Sequence, residues 1–151
     1  MDKIHDITGD SAPKEIAALL QRCETLHRQL RPHLPADYAG WLDKVFADGA
    51  GLCVLESEGR ARSLGLWRAY HTTYAGLRFY VDDLVADEAE RGKGWGGKML
   101  VHLEQKARDM GCDVFALDSA VYRHLAHRFY FRAGLVIAGY AFSKPLTKRF
   151  R

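Results

Sequence analysis

"ERGKGWGGKML", residues 90–100, places Gly92, Gly94, Gly96 and Gly97 within six positions, edged by Arg91, Lys93 and Lys98, and runs straight into an apolar repeat of helical spacing. A tight turn into a helix needs one or two glycines. Four glycines among three cations instead suit an anion, because glycine lets the backbone come close to phosphate and free amides at a helix start point outward. Three phosphate-binding patterns overlap in the string, and its neighbours decide among them.

Gly92, Gly97 and Lys98 satisfy G-x-x-x-x-G-K, but Met99 follows where a P-loop needs Ser or Thr to bring a hydroxyl to Mg²⁺. Gly92, Gly94 and Gly97 satisfy the dinucleotide pattern G-x-G-x-x-G, with Asp118 about 20 residues on as a ribose-binding acid. In that fold the first glycine follows its strand at once, whereas "DEAER" stands here between Ala86 and Gly92. Too little chain remains downstream to complete two βαβ halves.

Upstream, Ser11 and Pro13 open a helix in which Ile16, Leu19, Leu20, Cys23, Leu26 and Leu30 recur at helical spacing until Pro32. Tyr38, Trp41, Leu42, Val45 and Phe46 mark a second, closed by Gly49 and Gly51. "LCVLES", "ARSLGLWRAYH" and "GLRFYVDDLVA" read as three strands of an antiparallel meander. Met99, Leu100, Leu103, Ala107 and Met110 predict a helix ending at Gly111. "CDVFALDS" then reads as a strand, "YRHLAHRFYFRAG" as a helix ended by Gly134, and "LVIAGYAFSKPL" as a last strand. The order αα βββ α β α β predicts an α+β domain with a mixed sheet, an antiparallel meander followed by α-β-α-β, and helices on both faces.

The 151 residues suit one domain, residues 1–151, with a real core. A net charge of +3, spread along the chain, makes no demand for nucleic acid, and the one basic run, "KPLTKRFR", reads as a solvated tail. No run approaches the length of a membrane span, and "MDKIHDITGD" lacks the apolar core of a signal peptide, so the expected location is the cytoplasm. Cys23, Cys53 and Cys112 are odd in number and widely spaced, which predicts reduced thiols. His124 and His127, one helical turn apart, have no third ligand in view, so no metal is expected.

The third phosphate pattern asks for an arginine, two spacers and Gly-x-Gly, after a strand with an acidic turn and before an amphipathic helix. Arg91, Gly94 and Gly96 supply it. With "YVDDLVADEAERGKGWGGKML" and "AHRFYFRAGL" the chain resembles the GNAT N-acetyltransferase superfamily, over nearly its whole length. The resemblance implies an acetyl-CoA-dependent N-acetyltransferase that moves an acetyl group to a small primary amine by direct transfer in a ternary complex. A non-catalytic acyl-CoA-binding or regulatory module on the same fold, and a protein N-acetyltransferase, stay open as alternatives, as does a homodimer.

It also implies a site. The amides of Lys93, Gly94, Gly96 and Gly97, with Gly92, Trp95 and the charge of Arg91, would hold the pyrophosphate. The pantetheine arm would pair with Leu84 and Val85 as an added strand. Tyr130 matches the general acid of many relatives. Asp82 and Asp83 are candidates for the base, because acids inside an apolar strand are costly to bury without a task; strict alternation would put them on opposite faces, and Asp83 is favoured because polyamine-type relatives carry a similar acidic pair. Asp118, Trp67 and Tyr70 are expected beside the acceptor.

Overall fold

A computed structural model describes residues 1–150, leaving Arg151, the end of the basic tail, outside the described residues. In chain order the elements are β1 (Asp2–Thr8), α1 (Pro13–Leu30), α2 (Tyr38–Ala47), β2 (Gly51–Ser57), β3 (Arg60–His71), β4 (Leu77–Ala86), a 3-10 turn (Glu88–Glu90), α3 (Trp95–Asp109), β5 (Val114–Leu117) and α4 (His124–Arg132). Backbone contacts divide the chain into two compact units, Met1–Ala116 and Leu117–Arg151. Among the described residues no helix is long and apolar enough to cross a membrane.

The strands lie in the order β1-β2-β3-β4-β5, and β1 to β4 are antiparallel neighbours. Apolar side chains of α1 and α2, among them Leu19, Cys23, Leu26, Leu42 and Phe46, pack on one face against Leu52, Val54, Leu64, Leu66 and Val85. Residues one step out of phase face α3: a Cβ on Gly65 would lie 2.6 Å from Leu103, and Trp67 stacks on Phe79, which stacks on Phe115. Every residue of β2 is buried between these two layers. Gly51 is required there, because a Cβ would sit 2.3 Å from the Trp67 ring. Gly51→Ala is expected to destabilise the protein by about 1–3 kcal/mol through overpacking, read as a lower urea midpoint with an unchanged slope.

Sequence reasoning missed β1. "DKIHDIT" has apolar residues at Ile4 and Ile7, three apart, and so shows no period of two. It is an edge strand, held by its register on β2 and by a stripe of α3: Lys98 meets Asp2 at 2.9 Å, His102 meets Asp6 at 3.0 Å, and Lys106 approaches Asp6 at 3.8 Å. Charge of this kind also discourages edge-to-edge pairing.

The strand expected over "LVIAGYAFSKPL" is not formed. Residues 135–146 have no regular structure and leave Val136, Ile137, Tyr140 and Phe142 exposed. Apolar β-branched content predicts a strand only where a partner edge pairs with it, and no ladder to this segment exists among the described residues.

Strand β4 carries a bulge. Leu66 pairs with Asp83 while Trp67 pairs with Val81, which leaves Asp82 as an extra residue. The expected alternation therefore fails here: Val81 faces α3, and Asp82 and Asp83 both face the α1 side. Asp113 N–H donates to Leu77 O at 2.8 Å and Phe115 stacks on Phe79, so β5 advances alongside β4 from its beginning. Four residues of β5 reach only about as far as Val81.

Candidate active site

The glycine stretch turns from β4 into α3. Asp87 N–H donates to Arg62 O at 2.8 Å, the Asp87 carboxylate caps the 3-10 turn at Ala89 N–H, and Glu88 N–H donates to the Gln29 side chain at 3.0 Å. Gly92 and Gly94 both adopt φ +81°, and nothing lies within 4 Å of where a Cβ would stand on either. Gly94 is the N-cap of α3, and Lys98 N–H is the first to bond back, to Gly94 O at 3.0 Å. The amides of Trp95, Gly96 and Gly97 thus have no intrahelical partner and add to the positive end of the helix dipole. Ser63 Oγ donates to Trp95 O at 3.0 Å, fixing this helix start on β3.

Arg91 and Lys93 are exposed beside the turn and pair with their own segment, Arg91 loosely with Glu88 at 3.8 Å and Lys93 closely with Glu90. Lys98, which a P-loop would aim at phosphate, is turned to Asp2 and the Trp95 ring. Open space, free amides and exposed cations fit a pyrophosphate. A Gly94→Asp variant is expected to weaken CoA binding about 100-fold, because it adds a side chain disfavoured at positive φ and a like charge at the anion's seat; calorimetric titration with CoA checks it.

Beyond the bulge, Leu84 and Val85 pair with Gly65 and Leu64 of β3, while β5 has stopped short on the other edge. Leu84 is half-buried and the Val85 side chain is in the core, so both are reachable along that edge through the backbone.

The two acids separate sharply. Asp83 is buried: its Oδ2 accepts from His27 Nε2 at 2.7 Å and its Oδ1 from Arg31 Nε at 2.7 Å. His27 Nδ1 lies 2.8 Å from the Tyr38 hydroxyl, which in turn contacts Cys23 Sγ at 3.7 Å. Burial pushes the Asp83 carboxyl up, but the His27 hydrogen bond and charge, with Arg31, outweigh it and hold it below the usual carboxylate range. Burial likewise pushes the Tyr38 phenol far up, keeping it protonated. Asp82 is half-buried and takes Arg68 Nε at 2.6 Å, while its carbonyl accepts from Arg31 at 3.0 Å. Sequence reasoning missed His27, though it stands one turn after Cys23 on the buried stripe of α1.

Trp67, expected beside the acceptor, is 6% exposed and belongs to the core under α3, on the face opposite Tyr70. Tyr70 is exposed, and its hydroxyl accepts from Arg78 at 2.7 Å. In the unit Leu117–Arg151, Asp118 is exposed just after β5. Tyr130 is half-buried on α4; burial pushes its phenol up, against a smaller opposing effect of Arg123. The helix ends at Gly134, φ +90°, with Leu135 N–H returning to Tyr130 O.

His127 Nε2 donates to Ala120 O at 2.9 Å, which commits it locally rather than to a shared ion with His124. Elsewhere, Asp6, Cys53 and His102 bring their ligand atoms within 4.8 Å of one another, a set not singled out in the sequence. Lys106 shares Asp6, and burial, with Asp6 beside it, pushes the Cys53 thiol up.

A family model described as the acetyltransferase (GNAT) family matches residues 14–135. An aminoalkylphosphonate N-acetyltransferase of Salmonella typhimurium is 30% identical over 83 residues, 55% of this chain and 54% of that protein. The match thus spans about half the length of that curated relative. Glucosamine-6-phosphate N-acetyltransferase from Arabidopsis thaliana superposes with a TM-score of 0.75 at 22% identity, covering 97% of this chain and 99% of that one. An aminoglycoside N-acetyltransferase solved with CoA superposes at 0.78 with 14% identity, covering 97% and 96%.

Proposed function

Because the chain belongs to the acetyltransferase (GNAT) family, we propose that it transfers an acetyl group from acetyl-CoA directly to a small primary amine. The observation that carries this reading is the turn at Gly92–Gly97, with two glycines at positive φ opening on empty space and three free amides at the start of α3. The partial match to an aminoalkylphosphonate N-acetyltransferase favours a small acceptor over a protein.

The pyrophosphate is held by the amides of Trp95, Gly96 and Gly97, with Lys93, Gly92 and Gly94 shaping the turn and Arg91 adding charge. The pantetheine arm pairs with the edge of β4 at Leu84 and Val85, where a backbone N–H polarises the acyl carbonyl, a type of contact that contributes about 3 kcal/mol to transition-state stability. The amine must lose a proton before its lone pair attacks, and the departing thiolate must gain one. Asp82, half-exposed at the bulge, receives the ammonium, orients it and accepts its proton before the lone pair attacks. Asp83 stands behind it as a positioning residue, tied to α1 and unable to turn outward without breaking two charge-assisted hydrogen bonds. Tyr130 supplies the proton to sulfur.

Release of free thiol from acetyl-CoA across a panel of amines tests the reading. Amine-dependent release is the expected result. CoA binding with no release by any amine would favour the non-catalytic module instead.

A further inference from the structure

On the α1 side of β3 and β4, from the bulge back toward the start of β4, lie Asp82, Arg68, Tyr80, Tyr70 and Arg78. Alternation puts them on one face: Arg68 and Tyr70 continue the phase of Leu64 and Leu66, and Tyr80 and Arg78 oppose them in register. Their side chains are half-buried or exposed, whereas the same face nearer β2 is sealed by α1 and α2.

The charges on this face are ordered. Asp82 is nearest the bulge and takes Arg68 at 2.6 Å. Arg68 is the cross-strand partner of Tyr80, and the Arg78 guanidinium lies over the same Tyr80 ring, 4.9 Å from its centroid. Arg78 also donates to the Tyr70 hydroxyl at 2.7 Å and lies 6.0 Å from that ring. Its contacts are aromatic and phenolic; among the described residues no carboxylate pairs with it. A guanidinium held in place by two tyrosines, but not neutralised, is available to an anion with charge-assisted geometry.

We propose that the acceptor is a zwitterion, a primary amine joined by a short linker to a phosphonate, phosphate or carboxylate, whose ammonium meets Asp82 while its anion lies between Arg68 and Arg78. This rests on the acetyl-transfer reading and specifies its second substrate. The order of charges carries it. One carboxylate at the bulge, where β4 loses its neighbour β5, faces the reacting end of the amine, and two guanidinium groups two and four positions further back along β4, Arg68 opposite Tyr80 and Arg78 itself, face the other end. A plain alkylamine would leave Arg78 without a counter-charge, and a polycation would meet it as a like charge.

The test is calorimetric titration of the CoA-saturated protein with 2-aminoethylphosphonate, β-alanine and n-butylamine. The two zwitterions are expected to bind at least about tenfold more tightly than butylamine, the effect of one to two added charged hydrogen bonds. Arg78→Met is expected to abolish that preference while CoA affinity and the thermal midpoint stay unchanged. Equal affinities, preference for butylamine, no zwitterion binding at all, or a preference that survives Arg78→Met would each overturn the proposal. Failure of CoA itself to bind would instead overturn the acetyl-transfer reading, and the same amine titrations on the free protein would still decide the charge preference.

Discussion

Asp83→Ala is expected to destabilise the protein by about 3–5 kcal/mol, measured by urea unfolding at neutral pH. The cost arises because the carboxylate is the shared acceptor of two groups. Its removal leaves His27 Nε2 facing a void inside the sheet–α1 interface, and Arg31 without the anchor that ties the end of α1 to β4. Asp83→Asn keeps one acceptor oxygen and the packing volume, and is expected to cost less, about 1–3 kcal/mol. The pH dependence has a definite sign. Asp83 is held below its ordinary value in the folded state, so its contribution is complete above the unfolded carboxyl range, about pH 4, and is lost as pH falls through the lower folded value. The wild type is therefore expected to lose stability on acidification below about pH 4, more steeply than Asp83→Asn. Equal acid sensitivity of the two proteins would count against this role for the carboxylate.

Tyr130→Phe is expected to lower kcat by about 10²- to 10⁴-fold with little change in the CoA KM. The substitution removes one oxygen and preserves the ring, which packs 5.5 Å from Phe129 on α4, so stability is expected to stay within about 1 kcal/mol of the wild type. Burial pushes the Tyr130 phenol up, so the hydroxyl is protonated at neutral pH and can donate to a leaving thiolate. Steady-state thiol release with saturating amine is the measurement; an unchanged kcat would remove Tyr130 from the acid role.

The helices were legible where local chemistry acts alone. Pro13 opens α1 and its apolar stripe runs to Leu30, Gly94 and Gly111 bracket α3, and Gly134 ends α4. The glycine turn into α3 was legible for the same reason, since its glycines and cations lie within eleven residues. What escaped depends on partners distant in sequence. The bulge at Asp82 appears only in the register of β4 on β3, and His27 and Asp83 meet across 56 positions. Strand β1 was hidden because its stability comes from β2 and α3, not from its own composition. Trp67 was misplaced because an aromatic on a central strand reads alike whichever face it takes, and only the phase with Gly65 and Leu103 assigns it to the core.

The single extra residue in β4 gives two neighbouring carboxylates separate fates. Asp83 is fastened to α1, so mutation there is filtered by folding before any substrate is met. Asp82 stands on the same face, held by an arginine that is itself partly open to solvent, so on the proposed reading mutation there reaches the acceptor first. On the proposed reading, substitutions at residue 82 and its arginines change substrate preference while the strand that carries them stays anchored. A directed-evolution library for new amines would gain most from varying positions 68, 78 and 82 with position 83 held fixed.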